Sequence, residues 1–246
     1  MNRLLHDVKF GLRRALVRIP TLYYKLDQIR ASRRPPYTST VEPVRTDTEV
    51  LITGLPRTAN SFAVRAFEMA QGRSVKIAHH AYPSPQIIGA ARMRIPSILL
   101  IRDPDEVALS RVASHPPITL RQALIDFVQC YESVLPWRNS FVVGDFTVVT
   151  SDFGSLMARL NAKFGTSFVE FDHTEENVKR CFDEIDERYR AMNDATQKRF
   201  GEVVARPSTE RESAKKVLKK ELESEQLRTL RQRATKAYKL LVEGSD

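Results

Sequence analysis

The sequence predicts an α/β fold of three layers, a central parallel sheet between helices, with an amphipathic helix ahead of it and further helices behind. Three observations predict it. From Glu49 onward, short apolar runs alternate with segments of helical period, as a parallel sheet flanked by helices requires. Beyond Asp172 the pattern turns wholly helical. At 246 residues, 42% hydrophobic and 28% charged, the chain can bury one substantial core with an appended helical segment.

The elements follow in order. Leu5, Val8, Leu12, Leu16, Ile19, Tyr23 and Leu26 recur at three- and four-residue steps, an apolar stripe with Lys9, Arg13, Arg14 and Arg18 on other faces. They predict a basic amphipathic arm over residues 1–34, kinked at Pro20. Arg33-Arg34-Pro35-Pro36 opens a linker over 35–48, and the α/β domain with its helical C-terminal part fills 49–246. Within it, strands are expected at Glu49–Thr53, Val75–Ala78, Ser97–Ile101 and Phe146–Thr150. Helices are expected at Ser61–Gln71, Pro85–Arg94, Pro104–Ser114, Leu120–Arg138 and Phe153–Phe164. Leu227, Leu230, Ala234, Ala237 and Leu241 mark the inner face of the last helix.

Charge narrows the function. The net charge is +9, but residues 1–34 hold nine Lys or Arg against Asp7 and Asp27, so +7 of it lies in the arm. A footprint confined to one segment speaks against a nucleic-acid-binding domain and for an arm that touches something acidic. Two readings of the arm stand open: a helix packed on the domain, or peripheral contact with an anionic membrane. No run reaches the roughly 18 apolar residues of a membrane span, and no secretory signal is visible, so the expected location is the cytoplasm or the inner membrane surface. Cys130 and Cys181 are the two cysteines, read as buried thiols rather than as a disulfide or metal ligands.

Two segments carry chemistry. The first strand runs through Gly54-Leu55-Pro56-Arg57-Thr58-Ala59-Asn60-Ser61-Phe62 into a helix, the strand-loop-helix context in which helix-start amides meet an oxyanion. Against the triphosphatase pattern G-x-x-x-x-G-K-[ST], Gly54 and Ser61 fit, while Ala59 and Asn60 replace the glycine and the lysine. The second segment is a buried strand, the turn Arg102-Asp103-Pro104 and a helix start, with Ser110 eight residues after Arg102. Asp103 as N-cap, Pro104 at the first helical position and Glu106 at the third form a capping arrangement. Between the two lies Ala78-His79-His80, and a histidine that titrates near neutrality can take a proton.

These residues resemble the sulfotransferase family. Its 5′-phosphosulfate loop, P-[KR]-[ST]-G-[TN]-[ST]-[WF], is similar to Pro56–Phe62 at every position except Ala59. Its R-[DN]-P-x-x-x-x-x-S segment, which binds the donor 3′-phosphate, is similar to the segment from Arg102 to Ser110, and its K-T-H segment to Ala78-His79-His80. The resemblance covers Glu49 to Phe171 and implies a P-loop NTPase-like fold. It further implies 3′-phosphoadenosine 5′-phosphosulfate (PAPS) as donor, adenosine 3′,5′-bisphosphate as product and no metal. The acceptor would be a hydroxyl or amine on a small molecule, lipid or saccharide.

The resemblance also implies roles. Arg57, Thr58, Ala59, Asn60, Ser61 and Phe62 would hold the phosphosulfate, and Arg102 and Ser110 the 3′-phosphate. His80 or His79 would act as base, with Arg57 on the leaving group. Sulfotransferases also bring a late basic segment over the 3′-phosphate, a place Arg206 or Arg211 would take, although the R-K-G-x-x-G-D-W-K signature is absent. Other classes fit the same features: a P-loop kinase or nucleotide triphosphatase using Asp103 for Mg²⁺, or a catalytically silent scaffold at a membrane surface.

Overall fold

The computed structural model describes residues 3–32, 41–114, 117–190 and 209–244. Four strands, β1 (Val50–Gly54), β2 (Ile77–His79), β3 (Ser97–Ile101) and β4 (Val142–Asp145), form a parallel sheet in the order β2-β1-β3-β4. The helices are α1 (Arg3–Val17), α2 (Pro20–Ser32), α3 (Asn60–Ala70), α4 (Pro83–Met93), α5 (Pro104–Ser114) and α6 (Leu120–Val134). They continue as α7 (Phe146–Ser151), α8 (Phe153–Phe164), α9 (Glu175–Arg190), α10 (Thr209–Leu222) and α11 (Glu225–Val242).

The strand period of two sorts side chains onto two cores. Leu51, Leu99, Ile101 and Val143 face one, closed by α4, α5, α6 and α11 through residues such as Ile87, Val107, Phe127, Tyr131 and Ala234. Val50, Ile52, Ile98, Leu100 and Val142 face the other, closed by Phe62 and Phe67 of α3, Phe153 and Leu156 of α8, and Cys181 of α9. The three layers are therefore helices, parallel sheet, helices. Leu227, Ala234, Ala237 and Leu241 are buried on the last helix, as its period predicts.

Several expected elements are displaced. The fourth strand is Val142–Asp145, and Phe146–Ser151 is helix α7. Phe141, Val142 and Val143 are buried, and the Asp145 carboxylate accepts the Thr147 N–H at 2.9 Å, which caps a helix and ends the strand. Helix α6 stops at Val134 because Pro136 cannot donate to its turn, and Leu135–Ser140 tightens into a 3₁₀ helix. The arm is two helices rather than one kinked helix, divided ahead of Pro20. Part of the segment read as linker joins the sheet edge: Glu42 and His79 exchange two backbone bonds of 3.0 and 2.7 Å, and Val44 is buried.

Candidate functional site

All four strands point their carboxyl ends to one edge, so the loops after Gly54, His79, Ile101 and Asp145 share it. That edge is where open α/β sheets bind ligands. Gly54 is required there: a Cβ would lie 2.4 Å from Thr58 Oγ1 and 2.5 Å from the Leu100 carbonyl oxygen. Beneath it the buried Tyr131 hydroxyl donates to that carbonyl at 2.8 Å and accepts the Leu55 N–H at 3.4 Å, tying the ends of β1 and β3.

The loop itself is held from inside. Thr58 Oγ1 donates to the Leu55 carbonyl at 2.8 Å, and Asn60 Nδ2 donates to the Gly54 and Leu55 carbonyls at 3.1 and 2.9 Å. Both side chains are buried, so they shape the loop from within. Phe62 likewise turns into the second core, against Phe153, Phe171 and Phe182. Arg57 and Ala59 sit at φ 81 and 68, and Ala59 starts α3 without a side-chain cap. The left-handed turns curl the loop and leave the amides of the helix start to an anion. The Asn60 Oδ1 atom is buried with no hydrogen-bond partner, so the loop is not internally satisfied.

The two segments singled out in the sequence meet on α5. Arg57 Nε donates to Ser110 Oγ at 2.8 Å. Arg102 pairs with Glu106 at 3.1 Å, and its guanidinium lies 4.0 Å from the centroid of the Phe146 ring. Glu106 and Ser110 are four residues apart, hence on one face of α5, and the two guanidinium groups approach that face one turn apart. Asp103 Oδ1 accepts the N–H groups of Asp105 and Glu106, each at 3.0 Å, so the expected cap forms. The Glu106 carboxylate is engaged by Arg102.

The histidines complete the edge. His80 leaves β2 with φ 58, so it does not point away from His79 as strand neighbours would. Instead the two Nδ1 atoms lie 2.8 Å apart, and His80 Nε2 is 3.4 Å from Ser61 Oγ on the loop after β1. Where His80 Nδ1–H donates to His79, its Nε2 carries the free lone pair that faces Ser61. Burial, then Arg188, pushes His79 down to about 4. His80 is pushed down too, although part of its surface meets solvent: first by the protein packed round its ring, then by His79, against an opposing pull from Glu68. Both imidazoles are neutral at pH 7.

Arg206 lies outside the described residues, and Arg211 lies on α10. Tyr131, Glu106 and Phe146 are site residues that sequence reasoning missed. Tyr131 reads as one more member of an apolar helix face, and Phe146 as part of a strand, so only an aromatic directly after the β4 carboxylate could have drawn notice. Two concavities of the described surface lie elsewhere, about 590 Å³ beside Arg231 and Lys239 of α11 and about 270 Å³ between α2 and α4. Arg57 and Arg102 are folded onto α5, bonded to Ser110 and Glu106.

No family model matches the chain, and no curated protein matches it significantly. Among solved structures, mouse sulfotransferase SULT7A1 complexed with PAP aligns with a TM-score of 0.40 at 9% identity, over 71% of this chain and 90% of that one.

Proposed function

We propose that the chain is a sulfotransferase that moves a sulfuryl group from PAPS to a hydroxyl or amine acceptor. The observation that carries the reading is the 2.8 Å bond between Arg57 and Ser110, since it joins the two segments whose resemblance assigns them to opposite ends of one donor. The residues fit such an anion: two guanidinium groups on one helix face and an uncapped helix start. The 3′-phosphate would be held by Arg102 and Ser110, and the phosphosulfate by the amides from Arg57 to Phe62 with Ser61 Oγ. PAPS, when bound, supplies an activated sulfuryl group.

The chain's own work is to neutralise charge and take a proton. Arg57 stabilises negative charge on the leaving phosphate. His80 Nε2, neutral at pH 7 and beside Ser61, accepts the acceptor's proton, and His79 holds its other nitrogen. Proximity of an anion to the pair raises imidazole basicity, offsetting the depression by burial. The acceptor, a small molecule, lipid or saccharide, lies outside these contacts.

Calorimetry tests the reading. Adenosine 3′,5′-bisphosphate should bind in EDTA, and Arg57→Ala and Arg102→Ala should each cost about 1.5–3 kcal/mol of affinity, the range for a charged hydrogen bond. ATP binding that requires Mg²⁺, or no nucleotide binding at all, would overturn it.

A further inference from the structure

Helix α1 is fastened to the domain by one face only. Arg13 bonds the buried carboxylate of Asp126 on α6 at 2.8 Å, Gln122 donates to Asp7 at 2.8 Å, Gln129 donates to the Arg14 carbonyl at 2.7 Å, and Val17 is buried. Helix α2 is docked in the same way, with the Tyr24 ring against Gly89 of α4 and Gln86 donating to Asp27 at 3.1 Å. The other side faces water. Val8 is 59% exposed, Leu12 62% and Ile19 52%, with Leu22 and Ile29 also exposed. These make five of the nine large apolar side chains exposed among the described residues, so the exposure is concentrated in the arm rather than scattered.

Val8, Leu12 and Ala15 follow at steps of four and three, one helical face, and Ile19 continues it into the turn before Pro20. Lys9, Arg14, Arg18 and Lys25, all exposed, lie around this row. Because the arm's anchoring contacts occupy the opposite face, docking on the domain leaves the row uncovered.

We propose that this helical pair is a lipid-docking surface, which seats the protein on an anionic membrane with the Val8–Leu12–Ile19 row in the acyl boundary and the flanking cations among the headgroups. Aliphatic side chains in a row with cations around them suit that interface. The charge argues for lipid over a second copy. A two-fold contact would set the same face of each arm against the other, and residues 1–34 carry +7 of the chain's +9, so two arms repel. The proposal stands independently of the transfer reaction.

Flotation of the full chain tests it, using phosphatidylcholine vesicles with and without about 30% phosphatidylserine. The expected result is binding to the phosphatidylserine vesicles, lost at high salt. The pair Val8→Asp with Leu12→Asp should weaken it about tenfold or more, as should Lys9→Glu with Arg18→Glu, with melting temperature unchanged. Failure to float on anionic vesicles, or unchanged binding by the Asp variant, overturns the proposal. So does sedimentation showing a dimer that the Asp variant dissolves, which would assign the face to a second copy. Vesicle binding without bisphosphate binding would remove the transferase reading alone.

Discussion

Ala59 stands at φ 68, ψ 24, where the left-handed backbone crowds a Cβ. The resemblance has glycine at this position, and a methyl group there is strained only where the backbone is left-handed. The backbone angle decides it. Ala59→Gly removes a cost of about 1–2 kcal/mol and adds back about 0.5–1 kcal/mol of unfolded-state entropy. Urea denaturation should therefore show the variant more stable by about 0.5–1 kcal/mol, and a loss of stability would count against the left-handed assignment. The other loop residues divide by direction. Thr58, Asn60 and Phe62 could each be named from the motif, yet their inward orientation was not legible, because a motif fixes spacing and not which face of a turn is buried. Ser61 and Arg57 face the site, and Arg57 finds a partner 53 residues away.

At the level of elements, signals that act over one helical turn were readable. Asp103 caps α5 where Asp-Pro-x-Glu predicts, and the Leu and Ala spacing of α11 gives its buried side. Choices that depend on a distant surface were not. The apolar row of the arm was a candidate packing face, but α1 docks instead through Arg13 and Val17, because a buried carboxylate waits on α6. Asp126 accepts from Arg13 at 2.8 Å, from Arg111 at 2.9 Å and from the Tyr82 hydroxyl at 3.1 Å, joining α1, α5 and α6 to the residue that precedes α4. Arg111 is buried as well. Asp126→Ala would leave that guanidinium uncompensated and should cost about 3–5 kcal/mol. Arg13→Ala removes the more exposed cation and should cost no more than about 1 kcal/mol. Equal losses in denaturant titrations would show that the arm, rather than the buried pair, carries the stabilisation.

For the molecule as a whole, the two histidines set a pH dependence. Unfolded histidine titrates near 6.5, whereas folded His79 is depressed to about 4 and His80 is depressed too. Between those values the unfolded chain binds more protons, so stability rises with pH across that window and falls as the solution is acidified from about 6.5 toward 4. Thermal melts should show this slope, and a variant carrying His79→Gln and His80→Gln should flatten it. An unchanged slope would mean that carboxylates alone govern the acid limb.

The sequence by itself determined the alternation that makes a parallel sheet between two helical layers, the strand-loop-helix order at Gly54 to Phe62, the cap at Asp103 and the charge of the arm. Each is written in residues close together in the chain, where propensity, periodicity and capping act. Only the tertiary structure decided that Arg57 reaches Ser110, that His80 turns back onto His79, that Tyr131 ties β1 to β3, and that the arm's aliphatic row faces outward. Those outcomes depend on strand order and on which buried group each polar side chain meets, and the energy of such a contact is set by surroundings assembled from residues far apart in sequence.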